Sequence, residues 1–245
     1  MVAVFDIGNS NIHCGLYKGE RLVKNAIYPL TERALWAKIL RLVRNRDVEG
    51  SAIASVVPDL THRLRSILRR YVKVSPIIVT SDLNYDLRFG YHNPETLGAD
   101  RIANVVGGLA RYNKNMIIAD IGTAITLDIV LKDGYYIGGI IAPGIKASID
   151  GLTHQTALLK NASFEKPRGL IGRSTKECIR SGVYYGNIAM LRGLIQAIRG
   201  KYRKRFFCIA VGGWGRVMTA QIKEINRFDS DLTLYGALRI YYDNV

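Results

Sequence analysis

The chain has 245 residues, 48% hydrophobic and 22% charged, enough for a substantial core in one large domain or two small ones. A formal charge of +15 suits anionic ligands, but no aromatic ladder, zinc pattern or RNA-binding signature accompanies it, so nucleic acid is not expected as a partner. No apolar run of roughly 18 residues and no leader pattern is present, and three scattered cysteines (Cys14, Cys178, Cys208) read as small buried residues of a cytoplasmic protein with no membrane partner.

In chain order, Val2 to Phe5 reads as a buried strand. Ile12 to Tyr17 and Arg21 to Tyr28 flank Lys18-Gly19-Glu20, a hairpin signal. Thr31 is a candidate N-cap for a helix that places Leu35, Ile39, Leu42 and Val43 on one face. Ala52 to Val57 reads as a strand stopped by Pro58, Asp59 as the cap of a second helix with Leu60, Leu64, Ile67 and Leu68, and Ile77 to Val79 as a strand. Residues 80 to 97 lack periodicity and read as a loop long enough to carry function. A helix is expected from Ala99 to Tyr112.

The second half repeats this opening. Met116 to Ala119, Thr123 to Leu131 and Tyr135 to Ile141 read as strands, with Asp133-Gly134 turning the last pair. Helices are expected over 144 to 159, 173 to 198 and Leu232 to Tyr242, with a strand from Phe206 to Val211. No linker composition separates the halves, so two joined lobes with a cleft between them is the economical arrangement.

The repeat is most visible in two runs, Asp6-Ile7-Gly8-Asn9-Ser10-Asn11 and Asp120-Ile121-Gly122-Thr123-Ala124-Ile125-Thr126. Each sets a carboxylate at the end of a strand, then a glycine and small polar residues. Such loops suit a metal-bound polyphosphate, with carboxylates for the cation and backbone N–H groups for the anion. An Asx-turn would explain the first run and a threonine-rich hairpin the second, and recurrence favours phosphate handling. Gly98-Ala99-Asp100-Arg101 opens a helix after the long loop, where a carboxylate and a guanidinium could act as base and anion clamp, or as a dipole-favoured first turn. Gly138-Gly139 through Pro143-Gly144, and Gly212-Gly213-Trp214-Gly215, could let a nucleotide lie on bare backbone or pack a helix closely. The four histidines (His13, His62, His92, His154) lack zinc spacing, and no Walker A loop, G-x-S-x-G elbow or G-x-G-x-x-G turn occurs.

Taken together the runs resemble the type III pantothenate kinases of the acetate and sugar kinase (actin-like ATPase) superfamily. The resemblance rests on Asp6 to Asn11, Ser55-Val56-Val57-Pro58, Tyr91-His92-Asn93-Pro94 with Gly98 to Arg101, Asp120 to Ala124, and Gly138-Gly139 through Gly144. Gly172-Arg173-Ser174-Thr175 with Ser181-Gly182, and Asp231 to Gly236, extend it over nearly the whole chain. It implies an α/β fold of two ribonuclease H-like lobes related by duplication, each a mixed sheet flanked by helices. An N-terminal lobe over 1–112 would hold the phosphate and substrate loops. A C-terminal lobe over 113–245 would hold the second loop and the dimer helices.

The resemblance further implies ATP-dependent phosphorylation of pantothenate, the first step of coenzyme A synthesis. Asp6, Ile7, Gly8, Asn9, Ser10, Asn11, Ile12 and His13 would form the ATP phosphate loop, with Asp6 holding magnesium through water, and Thr123 would touch ATP. Asp100 would be the catalytic base, and Asp6 the second catalytic residue through its magnesium and the phosphates. Tyr91, Gly98, Ala99, Asp100, Arg101 and Thr175 would contact pantothenate, Thr175 reaching in from the second subunit of a homodimer. Asp120 would bind a monovalent cation, potassium or ammonium. Two other readings are a Baf-type factor linked to transcription and a kinase of the superfamily acting on another small substrate.

Overall fold

A computed structural model describes residues 1–44, 46–154 and 165–245. They form two compact units. The first comprises Met1–Asn113, Leu131–Ile137 and Asp231–Val245, and the second Lys114–Val130 and Gly138–Ser230. The turn of lobes expected at 112/113 falls at the end of the first stretch, whereas two later segments also group with the first unit.

The first unit opens with β1 (Val2–Ile7), β2 (Asn11–Lys18) and β3 (Arg21–Pro29), an antiparallel meander whose tight turn has Gly19 at φ +57°. There follow α1 (Leu35–Val43), β4 (Gly50–Ser55), α2 (Pro58–Ile67), the two-residue strands β5 (Ile77–Ile78) and β6 (Arg88–Phe89), and α3 (Ala99–Tyr112). The sheet order is β3-β2-β1-β4-β5, with β4 parallel to both β1 and β5. Phe5, Ile7, Ile12, Leu16, Leu35, Ile39, Leu42 and Leu64 interlock in one core, which buries the apolar stripe of α1 against the sheet.

Two expected caps are corrected. Position 34, not Thr31, precedes α1, because Glu32 N–H bonds to Pro29 O (3.0 Å) and Leu35 N–H to Glu32 O (3.2 Å), so backbone turns take up the intervening residues. Asp59 lies inside the first turn of α2 behind Pro58, where its charge faces the positive helix end without capping it. Beyond α2 a wider turn, Leu68–Val72, ends at left-handed Lys73. The 80 to 97 segment is a loop interrupted by β6 and by a short 3-10 turn, Pro94–Thr96.

The chain continues with β7 (Met116–Ile121), β8 (Ala124–Val130), β9 (Tyr135–Pro143), α4 (Ile145–His154), α5 (Thr175–Tyr202), β10 (Phe207–Val211), α6 (Gly215–Thr219), β11 (Arg227–Phe228) and α7 (Leu232–Tyr242). Residues 155 to 159 of the helix expected over 144 to 159 lie outside the described residues. The helix expected from 173 starts at Thr175, because Ser174 Oγ accepts Glu177 N–H (3.3 Å) and Glu177 Oε2 accepts Arg173 N–H (2.7 Å), a capping box displaced by one residue. The second sheet has six strands in the order β11-β10-β7-β8-β9-β6; its run β9-β8-β7-β10-β11 matches β3-β2-β1-β4-β5, and β7 is antiparallel to β8 and parallel to β10 as β1 is to β2 and β4. Both units are thus mixed sheets of one topology, which is the duplication expected from the paired Asp-Ile-Gly runs. Cys14 and Cys208 are buried as expected, but Cys178 is exposed on α5.

Candidate active site

In the first unit β1 delivers Asp6 to the edge of its loop, paired across the sheet with His13 on β2 and Ala54 on β4. The loop closes when Gly8 N–H bonds to Asn11 O (3.0 Å), and Leu30 N–H secures Ser10 O (3.0 Å). Asn9 and Asn11 are exposed, and Asp6 is half-buried. Burial holds the His13 imidazole below its ordinary pKa against the opposing charge of Asp231, and its buried Nε2 has no hydrogen-bond partner among the described residues. Beside the loop Val56 N–H donates to Ile7 O (3.1 Å), and Thr61 Oγ1 donates to Ser55 Oγ (2.6 Å), tying α2 to the end of β4.

The helix start at Gly98 is the second part. Asp100 Oδ1 accepts the N–H of Arg101 (2.8 Å). A Cβ on Gly98 would lie 2.5 Å from that same oxygen, so glycine leaves the carboxylate room to fold back over the helix end. Burial raises the Asp100 pKa despite the Arg101 N–H and the nearby guanidinium, which both lower it. Arg101 is 7% exposed, and its Nη2 donates to Tyr136 Oη (2.9 Å). The ring of Tyr136 lies 6.1 Å from that of Tyr91. Tyr91, Gly98, Asp100 and Arg101 thus belong to one unit, and a cavity of about 910 Å³ in that unit is lined by Ser55, Val56, Thr61, Arg65, Gly98 and Ala99, with Tyr91, Asp100 and Arg101 outside its lining.

In the second unit Asp120 ends β7 opposite Thr126 of β8. Its carboxylate lies over Gly212, where φ is +83° and a side chain would collide with Asp120 Oδ1. The Gly122-Thr123 turn is pinned from two sides: Gly144 N–H bonds to Thr123 O (3.1 Å), and Trp214 N–H to Ile121 O (3.0 Å). Gly144 is required there, because a Cβ would strike the carbonyls of Gly122 and Thr123. Thr123 is exposed, and the buried Thr126 Oγ1 has no hydrogen-bond partner among the described residues. Asp128, two residues on, is fully buried. Thr175 begins α5 and borders a groove of about 550 Å³ in this second unit, in a different unit from the other expected substrate residues.

The donor sets fit cations of different kinds. Among the described residues no three His, Cys, Asp or Glu side chains converge as a metal cage. A lone carboxylate such as Asp6 can hold a divalent ion only while that ion keeps most of its water. Asp120 on bare backbone, with the unpartnered Thr126 hydroxyl opposite, offers hard oxygen donors of low total charge, a set that fits a monovalent ion. Tyr136 was not singled out in the sequence. The signal was present: strand alternation turns one of Tyr135 and Tyr136 inward, and a buried tyrosine hydroxyl needs a partner.

A family model described as type III pantothenate kinase matches residues 2–197. The type III pantothenate kinase of Thermomicrobium roseum is 36% identical over 100% of this chain and 98% of that protein. That of Citrifermentans bemidjiense is 34% identical over 100% of both. Among solved structures, a Baf family protein from Campylobacter jejuni superposes with a TM-score of 0.60 at 21% identity, covering 98% of each chain. A ROK hexokinase from Thermus thermophilus superposes at 0.50 with 14% identity, covering 98% of this chain and 97% of that one. These likenesses at low identity establish the actin-like, sugar-kinase fold, and among the described residues no helix is long and apolar enough to cross a membrane.

Proposed function

We propose, for a chain that belongs to the type III pantothenate kinase family, that it transfers the γ-phosphoryl group of ATP to the primary hydroxyl of pantothenate, giving 4′-phosphopantothenate and ADP for coenzyme A synthesis. The observation that carries the residue roles is the half-buried Asp100 carboxylate folded over Gly98, its pKa raised by desolvation, with Arg101 and Tyr91 in the same unit. A carboxylate made more basic by desolvation is a better proton acceptor, provided it is ionised at the working pH. As the hydroxyl oxygen bonds to the γ-phosphorus, the bond from that phosphorus to the bridging oxygen breaks. The hydroxyl proton passes to Asp100, and ADP leaves.

Phosphoryl transfer asks the protein mainly for positioning and charge stabilisation. We assign backbone N–H groups of the Asp6 to His13 loop, and the exposed Thr123 hydroxyl, to ATP. Magnesium held by Asp6 through water, and potassium or ammonium on Asp120, would supply the positive charge the phosphates need. Arg101 suits the anionic end of pantothenate. Thr175 belongs to the groove on α5, and we assign it to the pantothenate site of a second copy in a cytoplasmic homodimer.

The test is turnover of purified protein with magnesium-ATP and pantothenate, followed by ADP release and product mass. Potassium should outperform sodium. Asp100→Asn should lower kcat by about 10²–10⁴-fold with the melting profile retained. A wild-type chain that makes no phosphopantothenate sinks the reaction, whereas near-normal turnover of Asp100→Asn removes only Asp100 from the base role.

A further inference from the structure

We infer that Tyr136 is a positioning residue of the pantothenate site, fixing the two side chains, Arg101 and Tyr91, that reach the substrate from different elements. This rests on the pantothenate kinase reading. Three separate attachments converge on the one residue. Its hydroxyl accepts Arg101 Nη2–H at 2.9 Å, in a buried environment where Arg101 is 7% exposed and Tyr136 fully buried. Its ring is 6.1 Å from Tyr91 at an interplanar angle of 59°, and 6.0 Å from Phe89 at 69°. Its carbonyl oxygen accepts Gly90 N–H at 2.8 Å, immediately before Tyr91.

The backbone favours this arrangement. β6 pairs in parallel with β9, with Phe89 opposite Tyr136, so the loop leading to Tyr91 leaves the strand in register with Tyr136. At Gly90 a Cβ would lie 3.2 Å from Tyr136 O, a tight approach, and 2.5 Å from Oη of the exposed Tyr135, a side-chain tip that can move aside. The loop is held to Tyr136 by this strand pairing and by the Gly90 N–H bond. Arg101 comes from α3, in the residue after Asp100. A guanidinium has many rotamers, and ordering it only when substrate arrives would weaken binding, whereas a fixed acceptor orders it beforehand. The phenol thus couples the pose of the helix start to that of the substrate loop.

Two variants separate this role from simple packing. Tyr136→Phe keeps the ring, the Tyr91 and Phe89 contacts and the Gly90 bond, and removes only the hydroxyl. It should raise the KM for pantothenate by about tenfold, the scale of one hydrogen bond to a charged group, while the KM for ATP stays within twofold. Tyr136→Leu also removes the ring and should raise the pantothenate KM further. Both are read beside thermal melting and beside Arg101→Gln. A pantothenate KM raised by Arg101→Gln and unmoved by Tyr136→Phe overturns the inference and leaves the pantothenate reading standing. Equal loss across both KM values, kcat and melting temperature in Tyr136→Phe assigns the residue a packing role and overturns it as well. No effect of Arg101→Gln on pantothenate KM overturns Arg101 as a substrate contact, and the inference with it.

Discussion

In the base role proposed for it, Asp100 would serve catalysis at the expense of stability. Because burial raises its pKa in the folded chain above that of the unfolded chain, the folded state binds the proton more tightly, and stability falls as pH rises through that interval. Asp100→Asn removes the cost of a buried charge. The variant should melt no lower than the parent at neutral pH, and the two melting curves should draw together in acid, where the parental carboxyl is already neutral. Turnover runs the opposite way: kcat/KM should climb as Asp100 loses its proton, with the acid limb displaced upward from the ordinary carboxylate range and absent in Asp100→Asn. Gly98→Ala tests the same geometry by sterics, since its Cβ would lie 2.5 Å from Asp100 Oδ1. The carboxylate can swing aside, so folding should survive while kcat falls by about 100-fold, the scale of an ångström-sized misplacement. An unchanged kcat would mean that the carboxylate works from another pose. The motif Gly98 to Arg101 was legible in sequence because its parts are adjacent. Tyr136 was not, because what makes it matter is a hydroxyl partner and two rings drawn from residues far away in the chain.

Among the elements, the crossing of α3 and α7 bears most directly on the site, since α3 carries Asp100 at its start. The two helices meet at Gly107 and Gly236: a Cβ on Gly236 would strike Ala103 O, and one on Gly107 would lie 2.7 Å from Leu232 O. Thr233 Oγ1 donates to the fully buried Asn104 (2.8 Å), and Arg111 grips both carboxylate oxygens of Asp231 at 3.3 and 3.2 Å. Backbone cannot yield as a side-chain tip can. Gly236→Ala should therefore destabilise by about 1–3 kcal/mol or more in denaturant melts, and a melt indistinguishable from the parent would contradict the close crossing. Both helices were legible, Ala99 to Tyr112 and Leu232 to Tyr242, because their apolar spacing is long and regular. Their glycine contact was not, since periodicity says which face is buried and not how near the neighbour comes. The two-residue strands β6 and β11 escaped for a related reason: a partner strand defines them, and their own sequence does not. The misplaced caps at Thr31 and Asp59 were plausible residues at positions where backbone turns and Pro58 already met the need.

At the scale of the molecule, the duplication explains the five-strand order that the two sheets share, with β6 added to the second, but among the described residues leaves α5 without a counterpart of similar length. This 28-residue helix carries Gly182 and Gly186 four apart, with open space at both Cβ positions, beside Val183, Ile179 and Met190 on the groove that Thr175 borders. Leu152, on the same groove, is 48% exposed. Small residues at that spacing let a second helix approach closely, and an apolar groove exposed to water favours being covered. A second copy of the chain fits the proposed route of Thr175 to the substrate, so assembly and substrate affinity should be linked. Sedimentation should give about twice the 27.3 kDa chain mass at micromolar concentration. Gly186→Glu, which sets a charge in the groove, should shift the protein toward monomer and raise the pantothenate KM, and raising protein concentration should partly restore both. A parent that sediments as an active monomer would break the link, and Thr175 would then have to act within its own chain or not at all. A dimeric Gly186→Glu with unaltered kinetics would move the interface elsewhere on the surface.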